Sequence, residues 1–450
     1  MLYACAMPYK AALHNWNGLL KSPVIRVQFL LASHKWDTII PNDPVLILEL
    51  PMSDQPVTIL CLSGYFKGLN FLITAKALGA RVLLLTRENN AEEDWPYDSI
   101  DRFMIMPDIR KRPDIFHAVS YLARSESIDV IVPLDDYDVE TAAALREHLR
   151  LPGLGETQAR YFRDKLAMRL QAAAAGIPVP PFTPTFTYDR LREYMERVPP
   201  PWVLKPRSEA GAMGIKKMYS AEEVWRRLDE LGDEQSNFHL EQFVPGEIYH
   251  VDSLVYDGEL LFAQPHKYAR PPLTVSHDGG VFASRTLPDG DEARAILGLN
   301  ARLLRAFGLQ RGAAHAEFIR GADGQFYFLE VAARVGGANI ENLIEAATGL
   351  NPWGEWARME IAYAQGQPYT VSPTRHVYAG LLVCLARQEW PDLSGYNDPE
   401  VVYRVHKKQH AGLVVASPDP GRVEWLLNQY AERFGRDFLA VLPALDKAPL

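Results

Sequence analysis

The segment from Ala316 to Gly337 constrains the fold of this chain more than any other stretch of its sequence. It reads AEFIRGADGQFYFLEVAARVGG, and an Asp-Gly pair between two apolar runs predicts a β-hairpin. If Asp323 and Gly324 form a two-residue loop, Glu317 lies directly opposite Glu330. A four-residue loop would make the pair diagonal but would keep both side chains on one face. Like charges across a strand pair destabilise a sheet, and burying them costs more.

Two interpretations of this glutamate pair are open. In the first, both carboxylates point into solvent from an exposed sheet face. In the second they bind a divalent cation, because Mg²⁺ is held by one or two protein carboxylates together with substrate phosphates. The residues that follow favour the second, since Arg334 and the backbone amides of Gly336 and Gly337 could line an anion site. His315 lies on the same face as Glu317, and we assign it to packing in the sheet rather than to catalysis.

A lysine at the end of an apolar strand is the second candidate feature. Lys205 closes the run WVLKP, and the loop SEAGAMGIKKM follows at 208–218. A lysine in this place can neutralise phosphate oxygens, while Gly211 and Gly214 allow the loop to fold over them. The loop lacks the G-x-x-x-x-G-K-[ST] pattern of a Walker A motif. The alternative is a lysine solvated at the edge of a sheet.

The stretch LEQFVPGEIYHVD is the third candidate feature. A backbone that leaves its strand at Gln242, Phe243 and Val244 exposes polar groups that could pair with an adenine edge. Glu241 precedes this point, and Glu247 could bind ribose hydroxyls. The alternative is an acidic rim of a hairpin.

Composition limits the class of protein. The chain has 450 residues, 48% of them hydrophobic, and a net charge of −9, which predicts two or three globular domains and gives no basic stripe for nucleic acid. The cysteines, Cys5, Cys61 and Cys384, show no spacing for zinc or a disulfide framework. We find no apolar run of bilayer length and no signal peptide. We therefore expect a cytoplasmic protein with no membrane or nucleic-acid partner.

The order of patterns along the chain predicts four segments. Residues 1–51 show no sustained period, and we interpret them either as an extension or mis-assigned start, or as an extra helix packed on the body. Residues 52–155 contain a β-α-β pattern without G-x-G-x-x-G, which predicts a parallel, Rossmann-like sheet without a nicotinamide cofactor. We assign residues 156–371 to a central domain that contains all three candidate features. Residues 372–450 form a C-terminal domain with strands and an amphipathic helix.

The segment 265–290 is predicted to be irregular, and loops of this length are usually functional or disordered. It contains several side chains that could bind a carboxylate: His266, Lys267, Arg270, His277 and Arg285. We favour Arg285 among them, although scattered charges on a solvated loop would look the same.

The ordered motifs RDK (163–165), WVLKP with its loop, EQFVPGEIYHVD, HAEF and FLEVAARVGG together resemble the ATP-grasp superfamily. The resemblance covers residues 56–440. The HxEF and ExxxRxGG text is most similar to the carboxylate-amine ligases that include L-amino acid ligases, and more distantly to biotin carboxylase and carbamoyl phosphate synthetase. It implies an α/β domain with a parallel sheet, then an ATP-grasp fold of two α+β subdomains, then a C-terminal extension.

The resemblance also implies site residues. ATP would be held by Lys165, Lys205, the loop 208–215 with Ser208, Gly211 and Gly214, and the adenine and ribose partners Glu241, Gln242, Phe243, Val244 and Glu247. Glu317 and Glu330 would bind Mg²⁺ or Mn²⁺. Arg334, with the amides of Gly336 and Gly337, would face the reacting carboxylate, and Arg285 would line the acceptor pocket. Many relatives carry Asn where this chain has Ala332, which leaves open whether a second metal ion binds.

The expected activity is that of an ATP-dependent ligase that joins a carboxylate to an amine. ATP would phosphorylate the carboxylate to an acyl phosphate, and the amine of a small molecule, such as an amino acid, would attack it. One alternative is a bicarbonate-activating carboxylase, and another is a nucleotide-binding protein without turnover. The oligomeric state stays open, with a homodimer as one option.

Overall fold

The fold is that of a computed structural model, and the structure describes residues 55–441 of the chain. The interpretation of residues 1–51 concerns a segment outside the described residues. From Val57 onward the chain forms one compact unit. Within the described residues, no helix has both the length and the apolar character that crossing a bilayer would require.

The strands and helices are numbered here in chain order. The first part contains β1 (Thr58–Ser63), α1 (Leu69–Ala77), β2 (Arg81–Arg87), β3 (Arg102–Met106), α2 (Asp114–Leu122), β4 (Val130–Pro133), α3 (Val139–Leu149), α4 (Glu156–Ala159) and α5 (Lys165–Ala174). The middle part contains β5 (Phe182–Pro184), α6 (Tyr188–Arg197), β6 (Trp202–Pro206), β7 (Lys216–Met218), α7 (Ala221–Leu231) and β8 (Phe238–Gln242). The last part contains β9 (Gly246–Tyr256), β10 (Glu259–Tyr268), α8 (Pro272–Asp278), β11 (Phe282–Thr286), α9 (Asp291–Phe307), β12 (Gly312–Gly321), β13 (Phe326–Ala332), α10 (Ile340–Thr348), α11 (Pro352–Ala364), β14 (Tyr378–Leu385), β15 (Val401–Arg404), β16 (His410–Ser417) and α12 (Pro420–Asp437).

The first sheet is parallel, as the β-α-β pattern predicted. Its strand order is β3-β2-β1-β4. Alternate residues of β1 enter two different cores: Ile59 packs with α1 and α11 on one face, and Leu60 packs with α2 and α3 on the other. Because both faces are covered by helices, the strands read as continuous apolar runs rather than alternating ones.

Two antiparallel sheets make up the rest. The smaller has the order β5-β8-β6-β7 and carries α6 and α7 on one face. The larger has eight strands in the order β13-β12-β9-β10-β11-β14-β16-β15. Together with the parallel first sheet, they confirm the predicted fold class.

The C-terminal residues extend this large sheet. Strands β14, β15 and β16 lie within the segment 372–450, and β14 pairs with β11. Helix α12 packs on the face of β14 and β16 that also carries Ala283 of β11. The four segment boundaries remain predictions, but in the described residues the tail shares a sheet with the central segment.

The hairpin of β12 and β13 has the predicted partners and a different loop. Glu317 pairs with Glu330 in the register, but next to the turn Arg320 pairs with Phe326. The turn is thus one residue longer than the two-residue loop we considered, and a bulge at Leu329 restores the direct pairing of the two glutamates. The bulge also places Leu329 and Glu330 on the same face of the sheet, whereas Phe318 and Phe328 pack in the core on the other face.

The segment 265–290 is not irregular, and this prediction was wrong. It contains the end of β10, the short helix α8 and strand β11. Its Pro-Pro and Gly-Gly pairs bound α8 and leave β10 and β11 free to pair in the large sheet.

Candidate active site

A cavity of about 600 Å³ lies between the small sheet and the large one. Its walls include Lys205 and Glu241 from the small sheet, and Tyr268, Glu317 and Glu330 from the large sheet. The loops that follow the parallel strands β1 and β4 contribute a third wall, with Tyr65, Lys67, Asp135 and Tyr137. All three sheets therefore contribute side chains to one space.

The two glutamates lie on the floor of this cavity. Glu317 accepts a hydrogen bond at Oε1 from the hydroxyl of Tyr268 at 2.8 Å. Glu330 forms an ion pair with Lys165, whose Nζ lies 2.9 Å from Oε2. Burial alone would raise the pKa of Glu330, but Lys165, Lys205 and His315 together outweigh it and hold the pKa at about 2. Both carboxylates are mostly covered, with side-chain exposures of 15% and 32%, so the open solvent-facing alternative does not describe them.

This donor set fits a hard divalent cation. The two carboxylates come from directly paired positions on one face, and the recorded contacts of Glu317 engage Oε1, which leaves Oε2 for a cation. Magnesium prefers such oxygen ligands and usually shares them with substrate phosphates.

Two lysines flank the glutamates. Lys165 begins α5, and its Nζ also donates to the carbonyl of Glu209 at 2.6 Å. Lys205, at the end of β6, forms an ion pair with Glu241. Two ammonium groups at one end of the cavity can neutralise the oxygens of a triphosphate.

Glu241 is fully buried and contacted by Arg169, Lys205 and His239. The Nε of Arg169 donates to its Oε2 at 2.9 Å, and Nε2 of His239 lies 3.3 Å from the same oxygen. Burial would raise the pKa of Glu241, but Arg169 and Lys205 outweigh it and hold the pKa well below its usual range. The carboxylate thus positions Lys205, which leaves the main chain as the part of this segment that could hold adenine.

An apolar slot lies beside Lys205 where the chain leaves β8. It is lined by Val203, Ile215, Phe243, Val244 and Leu329. The amides of Gln242 and Phe243 donate to the carbonyls of Pro181 and Pro201 at 2.8 and 3.0 Å. The main chain at Val244 is therefore the candidate partner of an adenine edge, and the apolar walls suit its faces.

The loop 208–215 covers part of the cavity. Gly211, Ala212 and Gly214 adopt left-handed backbone angles, with φ of +65°, +62° and +67°, and Gly211 and Ala212 line the cavity. The hydroxyl of Tyr137 donates to Glu209 at 3.0 Å and accepts from the amide of Ala210 at 3.3 Å. The loop is thus fixed to the segment after β4.

Two predicted members of this loop lie outside the cavity wall. Ser208 contributes its carbonyl to Arg163, whose Nη2 lies 2.5 Å away. Gly214 provides a left-handed turn but no wall atom. Their contribution is to shape the loop.

Arg334 lies in the cavity wall together with Gly337. Its Nη1 donates to the carbonyl of Val335 at 2.8 Å, and its Nε lies 3.8 Å from Oδ1 of Asp136. Nε of Arg334 and Oδ1 of Asp136 are both buried without a hydrogen-bond partner among the described residues. Gly336 has a packing role instead, because a Cβ there would lie 2.8 Å from Oδ1 of Asp252.

Two predicted site residues lie elsewhere, and the reason is strand alternation. Glu247 is not in the cavity wall: it pairs with Lys267 at 2.6 Å and accepts from Tyr249, which is in the core of the opposite face. Arg285 likewise projects away from the cavity and pairs with Glu424 of α12 at 3.0 Å. Gly246 and Ile248, on either side of Glu247, do line the cavity, and so does Phe282 on the strand of Arg285.

The wall formed by the loops after β1 and β4 was not predicted from the sequence. Lys67 and Asp135 form an ion pair there, and the Lys67 ammonium helps to hold the pKa of Asp135 below its usual range although burial opposes it. A signal was present, because Asp135 lies two residues after the end of the buried parallel strand β4, and ligands bind at the carboxyl ends of such strands.

Comparison with known proteins identifies the class. Residues 72–153 match the model of the ATP-grasp N-terminal domain, and residues 198–342 match the model of the ATP-grasp domain. The chain belongs to the ATP-grasp superfamily and is an ATP-dependent ligase of the kind that forms carbon–nitrogen bonds.

The chain is similar in sequence to one amino acid ligase and in structure to two solved enzymes. The L-arginine-specific L-amino acid ligase of Bacillus subtilis is 27% identical over 310 residues, which is 64% of this chain and 74% of that protein. The crystal structure of an L-amino acid ligase from Bacillus licheniformis superposes with a TM-score of 0.68 at 18% identity, covering 86% of this chain and 99% of that one. An N5-carboxyaminoimidazole synthetase from Staphylococcus aureus, solved with ADP, gives a TM-score of 0.64 at 16% identity, covering 85% and 98%. These structures share the fold of this chain, and the sequence relative supports the ligase class.

Proposed function

We propose that this protein is an ATP-dependent carboxylate–amine ligase that uses an amino acid as a substrate. The observation that carries the proposal is the composition of one cavity. At one end, two paired carboxylates and two lysines adjoin an apolar slot, and at the other Arg334 lies near the Lys67–Asp135 pair. The first end suits a nucleoside triphosphate with its cation, and the second suits a small zwitterion.

The reaction has two steps. A carboxylate oxygen attacks the γ-phosphorus of ATP, the bond from that phosphorus to the bridging oxygen breaks, and ADP leaves with the electron pair. The product is an acyl phosphate. An amine then attacks its carbonyl carbon, phosphate leaves, and the amine loses a proton as the amide forms.

This chain's residues contribute charge and position rather than a covalent nucleophile. Lys165 and Lys205 would hold the phosphates, and the loop 208–215 would cover them and exclude water. Glu317 and Glu330 would hold the divalent cation, whose chemistry is to neutralise phosphate charge. Arg334 would orient the substrate carboxylate, and the Gly337 amide would donate to the developing oxyanion.

The far end of the cavity accounts for an amino acid substrate. Lys67 and Asp135 offer opposite charges side by side, and the apolar residues Leu273 and Val275 of α8 line the same cavity. A zwitterion with an apolar side chain would match both surfaces.

The test is a phosphate-release screen of amino acids, singly and in pairs, with ATP and Mg²⁺, followed by mass analysis of the products. Glu330→Gln should abolish turnover while the fold stays intact, because the variant loses a cation ligand. Glu259→Gln, at an exposed position on β10 of the same sheet, is the matched control and should keep full activity. Near-normal turnover in Glu330→Gln would contradict the assignment.

The same screen separates the alternatives. Phosphate release that requires bicarbonate rather than an amino acid pair would indicate a carboxylase-type reaction. Tight ATP binding without release under any condition would indicate a nucleotide-binding protein without turnover. A dipeptide or another amide in the mass spectrum supports the ligase.

A further inference from the structure

A buried polar network lies beneath Glu317, and the mechanism above does not use it. Its members are His250 and Asp252 of β9, His266 of β10 and His315 of β12, all less than a tenth exposed. The sheet register brings them together, because Asp252 pairs with His315, and His250 pairs with both His266 and Glu317. Three imidazoles around one carboxylate in a core need a physical explanation, since unpaired buried polar groups are costly.

Asp252 is the centre of this network. Its Oδ2 lies 2.7 Å from Nδ1 of His250, and its Oδ1 lies 2.9 Å from Nδ1 of His315. The other nitrogen of His250 lies 2.7 Å from the hydroxyl of Ser284. One carboxylate therefore fixes the orientation of two imidazole rings.

The orientation of His315 determines what its second nitrogen faces. Because Nδ1 is engaged by Asp252, Nε2 points the other way, and it lies 3.5 Å from Oε1 of Glu317. The same oxygen accepts the hydroxyl of Tyr268 at 2.8 Å. Two groups thus hold one oxygen of Glu317 and leave the other for a cation.

We propose that Asp252 and His315 are positioning residues that set the orientation of the Glu317 carboxylate, and through it the affinity of the site for its divalent cation. The proposal rests on the cation role of Glu317 in the proposed function. Partners that orient a metal ligand typically contribute roughly 10- to 100-fold to metal affinity. Asp252 acts indirectly, through the imidazole of His315 that it orients.

The cluster could instead hold a metal ion itself, since ligand atoms of His250, Asp252 and His315 lie within 4.8 Å of one another. The geometry favours the positioning role. The two oxygens of Asp252 lie 2.7 and 2.9 Å from imidazole nitrogens, which are hydrogen-bond distances. An ion between such atoms would require the network to open.

The test measures cation binding directly. Protein saturated with a non-hydrolysable ATP analogue is titrated with Mn²⁺, and the bound ion is followed by electron paramagnetic resonance. Asp252→Asn and His315→Gln should each weaken Mn²⁺ binding roughly 10- to 100-fold, while the affinity for the analogue without metal stays unchanged. In a Glu317→Gln background, Asp252→Asn should cause no additional loss.

The matched control is Ser253→Ala. Ser253 lies next to Asp252 on β9, is also buried, and accepts a hydrogen bond from Asn300 on the opposite face at 2.9 Å. It should lower the stability of the fold without changing the Mn²⁺ affinity. If Asp252→Asn fails to fold, His315→Gln alone decides the question.

Three outcomes would overturn the proposal. Mn²⁺ affinity within twofold of wild type in a folded His315→Gln variant would show that the network does not act on the cation. An additional ion that binds without nucleotide and disappears in Asp252→Asn would show that the cluster is itself a metal site. Unchanged Mn²⁺ affinity in Glu317→Gln would refute the cation site of the proposed function, on which the positioning role rests.

Discussion

Replacing Glu241 with Gln should destabilise the protein strongly, although the two side chains have nearly the same volume. Glu241 is the anion shared by Arg169 and Lys205, whose side chains are 0% and 13% exposed. His239 does not add to their positive charge at pH 7, because burial lowers its pKa to about 4. Gln would therefore leave two covered cations with no carboxylate between them.

The size of the effect follows from the two cations that would lose their carboxylate. Breaking a buried ion pair by removing one partner costs about 3–5 kcal/mol, because an uncompensated charge remains. We expect a loss in this range in urea unfolding at pH 7 followed by tryptophan fluorescence, since Trp202 packs in the adjacent core. The slope of the free energy against urea should not change.

The control is Glu230→Gln on α7 of the same small-sheet region. Glu230 pairs with Arg227 at 2.9 Å, but its side chain is 53% exposed, and exposed pairs contribute about 0–1 kcal/mol. A loss for Glu241→Gln that is no larger than the loss for this control would refute the argument. It would mean that water or rearrangement compensates the buried cations.

Three further predictions concern the same region. Tyr137→Phe removes the hydroxyl that contacts Glu209 and Ala210. It should raise the KM for ATP roughly tenfold, the equivalent of one hydrogen bond to a charged group, without changing the urea midpoint. An unchanged KM would show that the loop does not need this contact. The pKa of His239 lies at about 4, below the usual 6.5, so the unfolded chain binds the proton first and stability should fall by roughly 3 kcal/mol as the pH drops from 6.5 through 4. His239→Gln should remove that part of the pH profile, and an identical profile in the variant would contradict the burial argument. Glu247→Gln should leave the KM for ATP within twofold of wild type, and a tenfold increase would restore its ribose role.

Local pattern was sufficient for the part of the site that lies on one hairpin. The pairing of Glu317 with Glu330 was predicted from a two-residue Asp-Gly turn and strand alternation, and the register confirms the pairing. The sequence could not reveal how the pairing is reached. The turn is one residue longer than the two-residue form, and the bulge at Leu329 compensates. The carbonyl of Leu329 accepts a hydrogen bond from Arg169 of α5, a contact from outside the hairpin that the local pattern does not contain.

Alternation also explains the two misplaced residues. A strand presents successive side chains to opposite faces. Assigning a side chain to the cavity therefore requires the limits of its strand and the face on which each residue lies. Segment 265–290 was read without strands, and Arg285 was therefore free to be placed in the pocket, whereas in β11 it faces α12. The contributions of Lys67 and Tyr137 depend on how the first sheet meets the other two, and no local pattern fixes that arrangement.

The charge arrangement of the cavity gives the facing glutamates their physical justification. Glu330 is balanced by Lys165 and Glu241 by Lys205, while Tyr268 and His315 approach Glu317. On the proposed function, a triphosphate bound with its cation would bring both a positive partner for the carboxylates and a negative partner for the lysines. Lys165 would then release Glu330 to the cation and pair with a phosphate oxygen, so that the carboxylates and the lysines would keep partners of opposite charge. A pair of glutamates without neighbouring lysines would not meet this condition.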